Sequence, residues 1–156
     1  MAHRHVAERF AEQQKHGRTQ RREFSCGNMS YSERTIYSYH WWPMARIIEN
    51  GERKVALFRA ETYSTCTCIH QNHVWWALRN AGFKIINVPR VTHENRQYGA
   101  DIDDTDHEYN LAWFERRIGE TLEQADRARV YRRQCMLVAQ SLIEAMADYI
   151  DYFNLG

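Results

Sequence analysis

Most of the reactive side chains in this sequence fall in one run, Cys66-Thr-Cys68-Ile-His70-Gln-Asn-His73. Two thiols and two imidazoles are a legitimate zinc ligand set. The spacing argues against zinc, because structural sites usually draw their ligands from two separate elements, whereas Cys66, Cys68, His70 and His73 would crowd one strand-to-helix junction. On a strand Cys66 and Cys68 share a face. His70 and His73 fall about one turn apart on the helix that follows. The plainer expectation is two small buried thiols beside two histidines near a helix N-terminus, with no cofactor.

Imidazoles offer acid–base chemistry as well. His70, His93 and Asn95, with His40 nearby, suit metal-free RNA cleavage, in which one imidazole takes a proton and another returns it. Nothing in the sequence brings them together, and 8 histidines make chance pairs ordinary. If the protein is an enzyme, His70, His93 and Asn95 are its candidate catalytic residues. The sequence leans against one: a glycine-rich phosphate loop, a nucleophile elbow and a HExxH motif are all missing. Asp101, Asp103, Asp104 and Asp106 resemble part of a calcium loop without its glycine and distal glutamate in register. They read better as a solvated run leading into a helix start, where negative charge is favoured.

Stacking residues form a third set. Tyr37, Tyr39, Trp41, Trp42, Trp75 and Trp76 interleave with Arg34, His40, Arg46 and Arg79, a composition that suits a protein hot spot or single-stranded nucleic acid, as well as a core. Trp75 and Trp76 are neighbours on a helix and point about 100° apart, so at most one lies deep in the core. Two basic clusters, Lys15, Arg18, Arg21 and Arg22, then Arg127, Arg129, Arg132 and Arg133, are candidate phosphate contacts or plain solvated surface. Glu115, Glu120 and Glu123 stand where they could neutralise the second.

Composition bounds these readings. A chain of 156 residues fits a single domain, 1–156, divisible into an N-terminal helix and basic linker (1–30), a sheet–helix core (31–98) and C-terminal helices (105–156). Lys+Arg 21 against Asp+Glu 20 leaves +1, which excludes a global field steering the protein to a polyanion or a membrane. Met1 to Gln20 is polar, with no signal peptide, and no apolar run is long enough to span a bilayer. Reduced thiols in a cytoplasm are expected.

The elements follow from pattern. Val6, Ala7, Phe10 and Ala11 give a helical stripe within 2–15, with Gly17 as a stop. Residues 24–32 read as a connecting loop. Thr35 to His40 is a strand, and Pro43 favours an edge or a strand start. Asn50-Gly51 signals a hairpin with positive φ at both central positions. Its second arm sets Val55 and Leu57 against Lys54 and Ala56, for one buried face. Thr62 to Cys68 reads as strand, then Val74, Ala77, Leu78 and Ala81 as a helix capped at Gly82, then 83–88 as a last strand. Thr105 to Glu108 and Thr121 to Gln124 match capping boxes. They predict two C-terminal helices with a break near Gly119 to Thr121, or else one long helix. Leu111, Phe114 and Ile118 line the first. The last carries Tyr131, Cys135, Val138, Leu142, Ala145, Tyr149 and Phe153, with Met136, Ala139, Ile143, Met146 and Ile150 beside them. The whole is α+β: a small, mainly antiparallel sheet with a packed helix, an N-terminal helix and a C-terminal helical pair.

Three motifs in order carry a resemblance: Tyr37-Ser-Tyr-His-Trp-Trp-Pro-Met-Ala45, then Tyr63-Ser-Thr-Cys-Thr with His70, then His93-Glu-Asn95 with Tyr98. The segment 37–98 resembles an uncharacterised domain family of tailed phages and archaeal viruses. That family carries a glycine where this chain has His40, and recurrent hydroxyls with His70, His93 and Asn95. The resemblance implies a viral origin and no particular activity. The expectation is a small phage-type accessory protein in the cytoplasm of an infected cell, binding a host or phage protein complex, such as a host defence complex that it inhibits. A histidine-based nuclease or phosphodiesterase and a nucleic-acid-binding module are the alternatives. A homodimer through the broad apolar C-terminal helix also fits.

Overall fold

The computed structural model describes residues 2–16, 24–61, 65–92 and 105–156. The chain divides into two compact units, Met1–Asp106 and His107–Gly156. The architecture is α+β, as the pattern predicts.

The first unit holds α1 (Ala2–Lys15), β1 (Phe24–Cys26), β2 (Met29–Ser32), β3 (Thr35–Ser38), β4 (Trp42–Asn50), β5 (Arg53–Arg59), α2 (Thr65–Asn80) and β6 (Lys84–Val88). The strands form one six-stranded sheet in sequence order. All neighbours are antiparallel except β5 and β6, which run parallel because α2 carries the chain back between them. Cross-strand rows Tyr31–Ile36–Ala45–Phe58 and Ile47–Ala56–Ile85 lie on one face. Val6, Phe10 and Ala11 of α1 and Val74, Ala77 and Leu78 of α2 pack on that face to make the core.

Several expectations change here. Residues 24–32 are not a loop but the β1–β2 hairpin, turning at Gly27-Asn28. Gly27 has φ +60 and Asn28 has no positive φ, the pattern of a II′ turn, which wants glycine first. The second hairpin is where Asn50-Gly51 points, but Asn50 pairs with Arg53, so its turn is Gly51-Glu52 and only Gly51 (φ +63) is left-handed. Both faces of β5 are covered, not one: Val55, Ala56 and Leu57 are all buried. The second face carries Thr35, Arg46 and Leu57 in register, and Arg46 Nη1 donates to the Val91 carbonyl at 3.2 Å. Pro43 sits near the start of β4, beside the register shift at Ile36/Tyr37, where a missing N–H does least harm. The segment read as strand through Cys68 is helical from Thr65 onward. Thr67, His70 and Gln71 continue the buried stripe of Val74 and Leu78 backward, so tertiary burial outweighs the strand propensity of the threonines.

The second unit is a hairpin of two helices, α3 (His107–Arg127) and α4 (Arg132–Phe153). Two helices are present, but the break is at 128–131 rather than at Gly119. Gly119 lies inside α3, at a cost of about 1 kcal/mol. Thr121 is no cap: its Oγ1 donates to the Arg117 carbonyl one turn back at 2.7 Å. The Thr105 hydroxyl, expected to cap α3, is buried without a hydrogen-bond partner among the described residues. Phe114, Ala139 and Tyr149 are buried, and the Tyr149 hydroxyl meets His107 Nδ1 at 2.7 Å and Asn110 Nδ2 at 3.2 Å. Among the described residues no helix is long and apolar enough to cross a membrane.

Candidate functional site

Of the motif residues that the structure describes, Ser38, Tyr39, Thr67 and His70 converge in the first unit, at the first turns of α2. Ser38 closes β3 with its side chain on the helix-covered face, two residues beyond Ile36. Thr67 and His70, one turn apart on α2, reach down to it. Ser38 Oγ lies 2.8 Å from His70 Nδ1 and 3.2 Å from Thr67 Oγ1. The His3 ring of α1 stands edge-on to His70 with centroids 4.4 Å apart, and the Tyr39 ring is 5.9 Å away. Three segments of chain, α1, α2 and the end of β3 with Tyr39, therefore meet at one imidazole.

The rim is held by backbone in an uncommon conformation. Tyr39 (φ 53) and His40 (φ 65) are both left-handed, which bulky side chains rarely adopt. His40 Nε2 lies 2.9 Å from the Gly27 carbonyl, and the Tyr39 N–H bonds the Asn28 carbonyl, so this loop is tied to the β1–β2 turn. His3 Nε2 accepts a weak bond from the Asn28 N–H at 3.4 Å. On the far side Gln71 Nε2 donates to the carbonyls of Arg59 (3.1 Å) and Glu61 (2.8 Å), fixing α2 to the end of β5.

A serine 2.8 Å from an imidazole is the beginning of a nucleophile–base pair. The surroundings do not complete one. Ser38 is 0% exposed and His70 2%, so no substrate reaches either atom in this structure. Burial, then the nearby His3 and His73, push the His70 pKa down to about 4. An imidazole so weakly basic is mismatched to proton transfer near neutrality. The arrangement is a buried polar junction that ties α1, α2 and the β3–β4 loop together, with Ser38 Oγ at its centre bonded to both Thr67 and His70. His93 and Asn95, the other candidate catalytic residues, lie outside the described residues.

The cysteines and His73 do not assemble with His70. Because residues 66 and 68 are helical rather than extended, Cys66 and Cys68 point about 160° apart instead of sharing a face. Both are exposed rather than buried. Among the described residues no cluster of three or more His, Cys, Asp or Glu side chains is placed to hold a metal ion.

The aromatic set divides. Trp42 is buried beneath the Arg59 guanidinium, 4.1 Å from the ring centroid. Trp75 is half-buried, with Arg79 over it at 5.0 Å. Tyr39 and His40 are half-buried in the rim, while Trp41 is exposed. Trp76 is 52% exposed, and so is Ile69, seven residues earlier on the same face of α2. Between them His73 borders a groove of about 310 Å³ that is also lined by Arg4 and Glu8 of α1 and by Trp76, Ala77 and Asn80. Arg4 and Glu8 pair with each other at 2.8 Å. Burial and the adjacent His3 hold the His73 pKa below its ordinary value. At neutral pH this groove is therefore an uncharged aromatic surface edged by one ion pair.

Of the basic clusters, Lys15 is exposed at the end of α1, and Arg18, Arg21 and Arg22 lie outside the described residues. Arg127 ends α3, Arg129 is in the connection, and Arg132 and Arg133 open α4; all four are exposed. Glu120 pairs with Arg117 at 3.5 Å rather than with this cluster. Residue types alone did not single out Ser38 or Thr67 as partners of His70. The signal was present in the helical spacing 67–70/71–74, masked by polar residues on the buried stripe.

No protein-family model, curated protein or solved structure matches the chain.

Proposed function

We propose that this is a non-enzymatic accessory protein that binds another protein, and that its role is to occupy and inhibit a complex of the host. The observation that carries the binding reading is Trp76, half out of the surface on α2 with Ile69 two turns away and a groove beside it. A large aromatic ring left in water forgoes burial worth a few kcal/mol, and partially exposed tryptophans beside apolar neighbours are typical binding hot spots. The viral setting, the host defence target and the cytoplasm of an infected cell rest on the sequence resemblance alone.

Immobilised protein should retain a specific complex from host lysate, identified by mass spectrometry and then purified for titration. Trp76→Ala is expected to weaken that binding at least about tenfold, with Ile69→Ala next, and raised salt to change it little. Unchanged affinity in both variants removes the α2 face from the interface. Turnover of labelled RNA or DNA that disappears in His70→Ala would replace this reading with the nuclease one. Nucleic acid finds less support, because the four exposed arginines 127, 129, 132 and 133 border an apolar surface rather than a continuous basic one. Oligonucleotide binding that falls steeply with salt would reverse that preference.

A further inference from the structure

We propose that the α3–α4 hairpin pairs with a second copy of itself, antiparallel, along α4 and about a two-fold axis near Gln140. Met136 (46% exposed), Leu137 (55%) and Ile143 (49%) stand out from α4, and Leu122 of α3 lies beside them. With Arg133, Ala139 and Gln140 they line a groove of about 220 Å³. Met136, Gln140, Ile143 and Ala147 recur at spacings of four, three and four, the seam of a two-helix coiled coil, and Gln140, Ala147 and both apolar members are exposed. A seam of that period with nothing over it among the described residues is built for another helix.

Charge selects the occupant. In α4 the basic residues, Arg132 and Arg133, are at the N-terminal end, and the acidic ones, Glu144, Asp148 and Asp151, are in the C-terminal half. This opposes the helix macrodipole at both ends and is unfavourable in an isolated helix. An antiparallel copy reverses the penalty, because each end then meets the opposite charge and the opposite dipole. The register follows from helix geometry. With the axis at Gln140, residues whose numbers sum to about 280 come level. Ile143 then falls beside Met136 of the second copy, and Arg133 falls between Glu144 and Asp148 of the second copy. Apolar meets apolar and cation meets carboxylate in the same register, which is the self-complementarity an isologous contact requires. Gln140 sits on the axis. In one chain its amide donates to Glu144 at 3.3 Å, and in the pair it meets its own counterpart, a polar position that fixes register. Two hairpins joined this way make a four-helix bundle.

Sedimentation velocity on the full chain tests this, with mass followed against concentration. The expected result is a reversible dimer that Ile143→Glu and Met136→Glu each weaken about a hundredfold or more, since each buries a carboxylate against the apolar side chain opposite it. Both side chains are exposed, so circular dichroism of the variants should match that of the parent. Arg133→Glu should weaken self-association about tenfold, and so should the double change Glu144→Arg/Asp148→Arg; mixing the two proteins should recover a heterodimer. A protein that stays monomeric at the highest concentration reached overturns the proposal. So does a dimer indifferent to both glutamates. Failure of the charge-swapped pair to recover, with the dimer otherwise sensitive, overturns the antiparallel register.

Discussion

The two units of this protein dispose of their polar and apolar groups in opposite ways. In the sheet unit a serine, a threonine and a histidine are sealed between α2 and the sheet, with Ser38 hydrogen-bonded to both Thr67 and His70. In the helical hairpin Met136, Leu137, Val138 and Ile143 stand in water. Residue type alone would place these groups the other way round. Ser38, Thr67 and His70 are placed to hold elements together, and the apolar side chains left outside are where the proposed self-association falls.

Removing one side chain from each unit should have unequal effects. His70→Ala leaves a cavity and takes a partner from the fully buried Ser38, and is expected to destabilise by about 3 kcal/mol. Ile143→Ala removes a larger apolar volume from α4, yet should change stability of the monomer by no more than about 0.5 kcal/mol, because its side chain is already half hydrated. Urea unfolding of both at a concentration below self-association reads the contrast. Equal losses would mean that the hairpin face is covered, and a negligible loss at His70 would mean that the junction holds nothing together.

Acid probes the same junction without mutation. The folded pKa of His70 is about 4 against an ordinary 6.5, so the unfolded chain binds more protons between those values. Stability is therefore complete above about pH 6.5 and falls as pH drops toward 4, by roughly 3 kcal/mol in all. His73 adds in the same direction, its pKa also being lowered. Groups facing His70 are Ser38, Thr67, Tyr39 and His3, with His73 one turn along; none is a carboxylate that would offset the effect. Melts between pH 7 and 4 should show this slope in the parent, and a shallower one in His70→Gln. Identical slopes would place the acid sensitivity elsewhere.

How much of this was legible in sequence depended on whether local pattern and tertiary burial agreed. They agreed for α1, where Val6, Phe10 and Ala11 repeat at helical period, for the hairpin near Gly51, and for the overall α+β class. They conflicted at 65–71, where threonines and cysteines favour a strand but Thr67, His70 and Gln71 are buried along a helix. They conflicted again at Gly119 and Thr121, whose local signals mark a break that α3 overrides through Phe114 and Ala125 on its buried face. The junction itself was half visible. His70 was a candidate by residue type, but Ser38 lies thirty-two positions away and becomes its neighbour only when the sheet and α2 are assembled.

Backbone strain gives the smaller tests, and it is divided between the units in the same way. Among the described residues, the left-handed non-glycine positions of the first unit are Glu33, Tyr39 and His40, all in turns beside β3; in the second, Asn154 is the left-handed cap of α4, a role asparagine fills readily. Gly27→Ala should cost about 1–2 kcal/mol, because φ is +60 and a Cβ there would come 2.8 Å from the His3 ring that packs on His70. Glu33→Gly should do the opposite. Glu33 holds φ 52 in the β2–β3 turn, and its carbonyl, which accepts from Gln14 Nε2 at 2.6 Å, is untouched by the change. Relief of the left-handed strain, about 1–2 kcal/mol, exceeds the added freedom of an unfolded glycine, about 0.4–1 kcal/mol, leaving a gain near 0.5 kcal/mol. A thermal melt should rise by about 1–2 °C. A fall would show that Glu33 is kept for its side chain, and that strain around β3 is not confined to the rim of the buried junction.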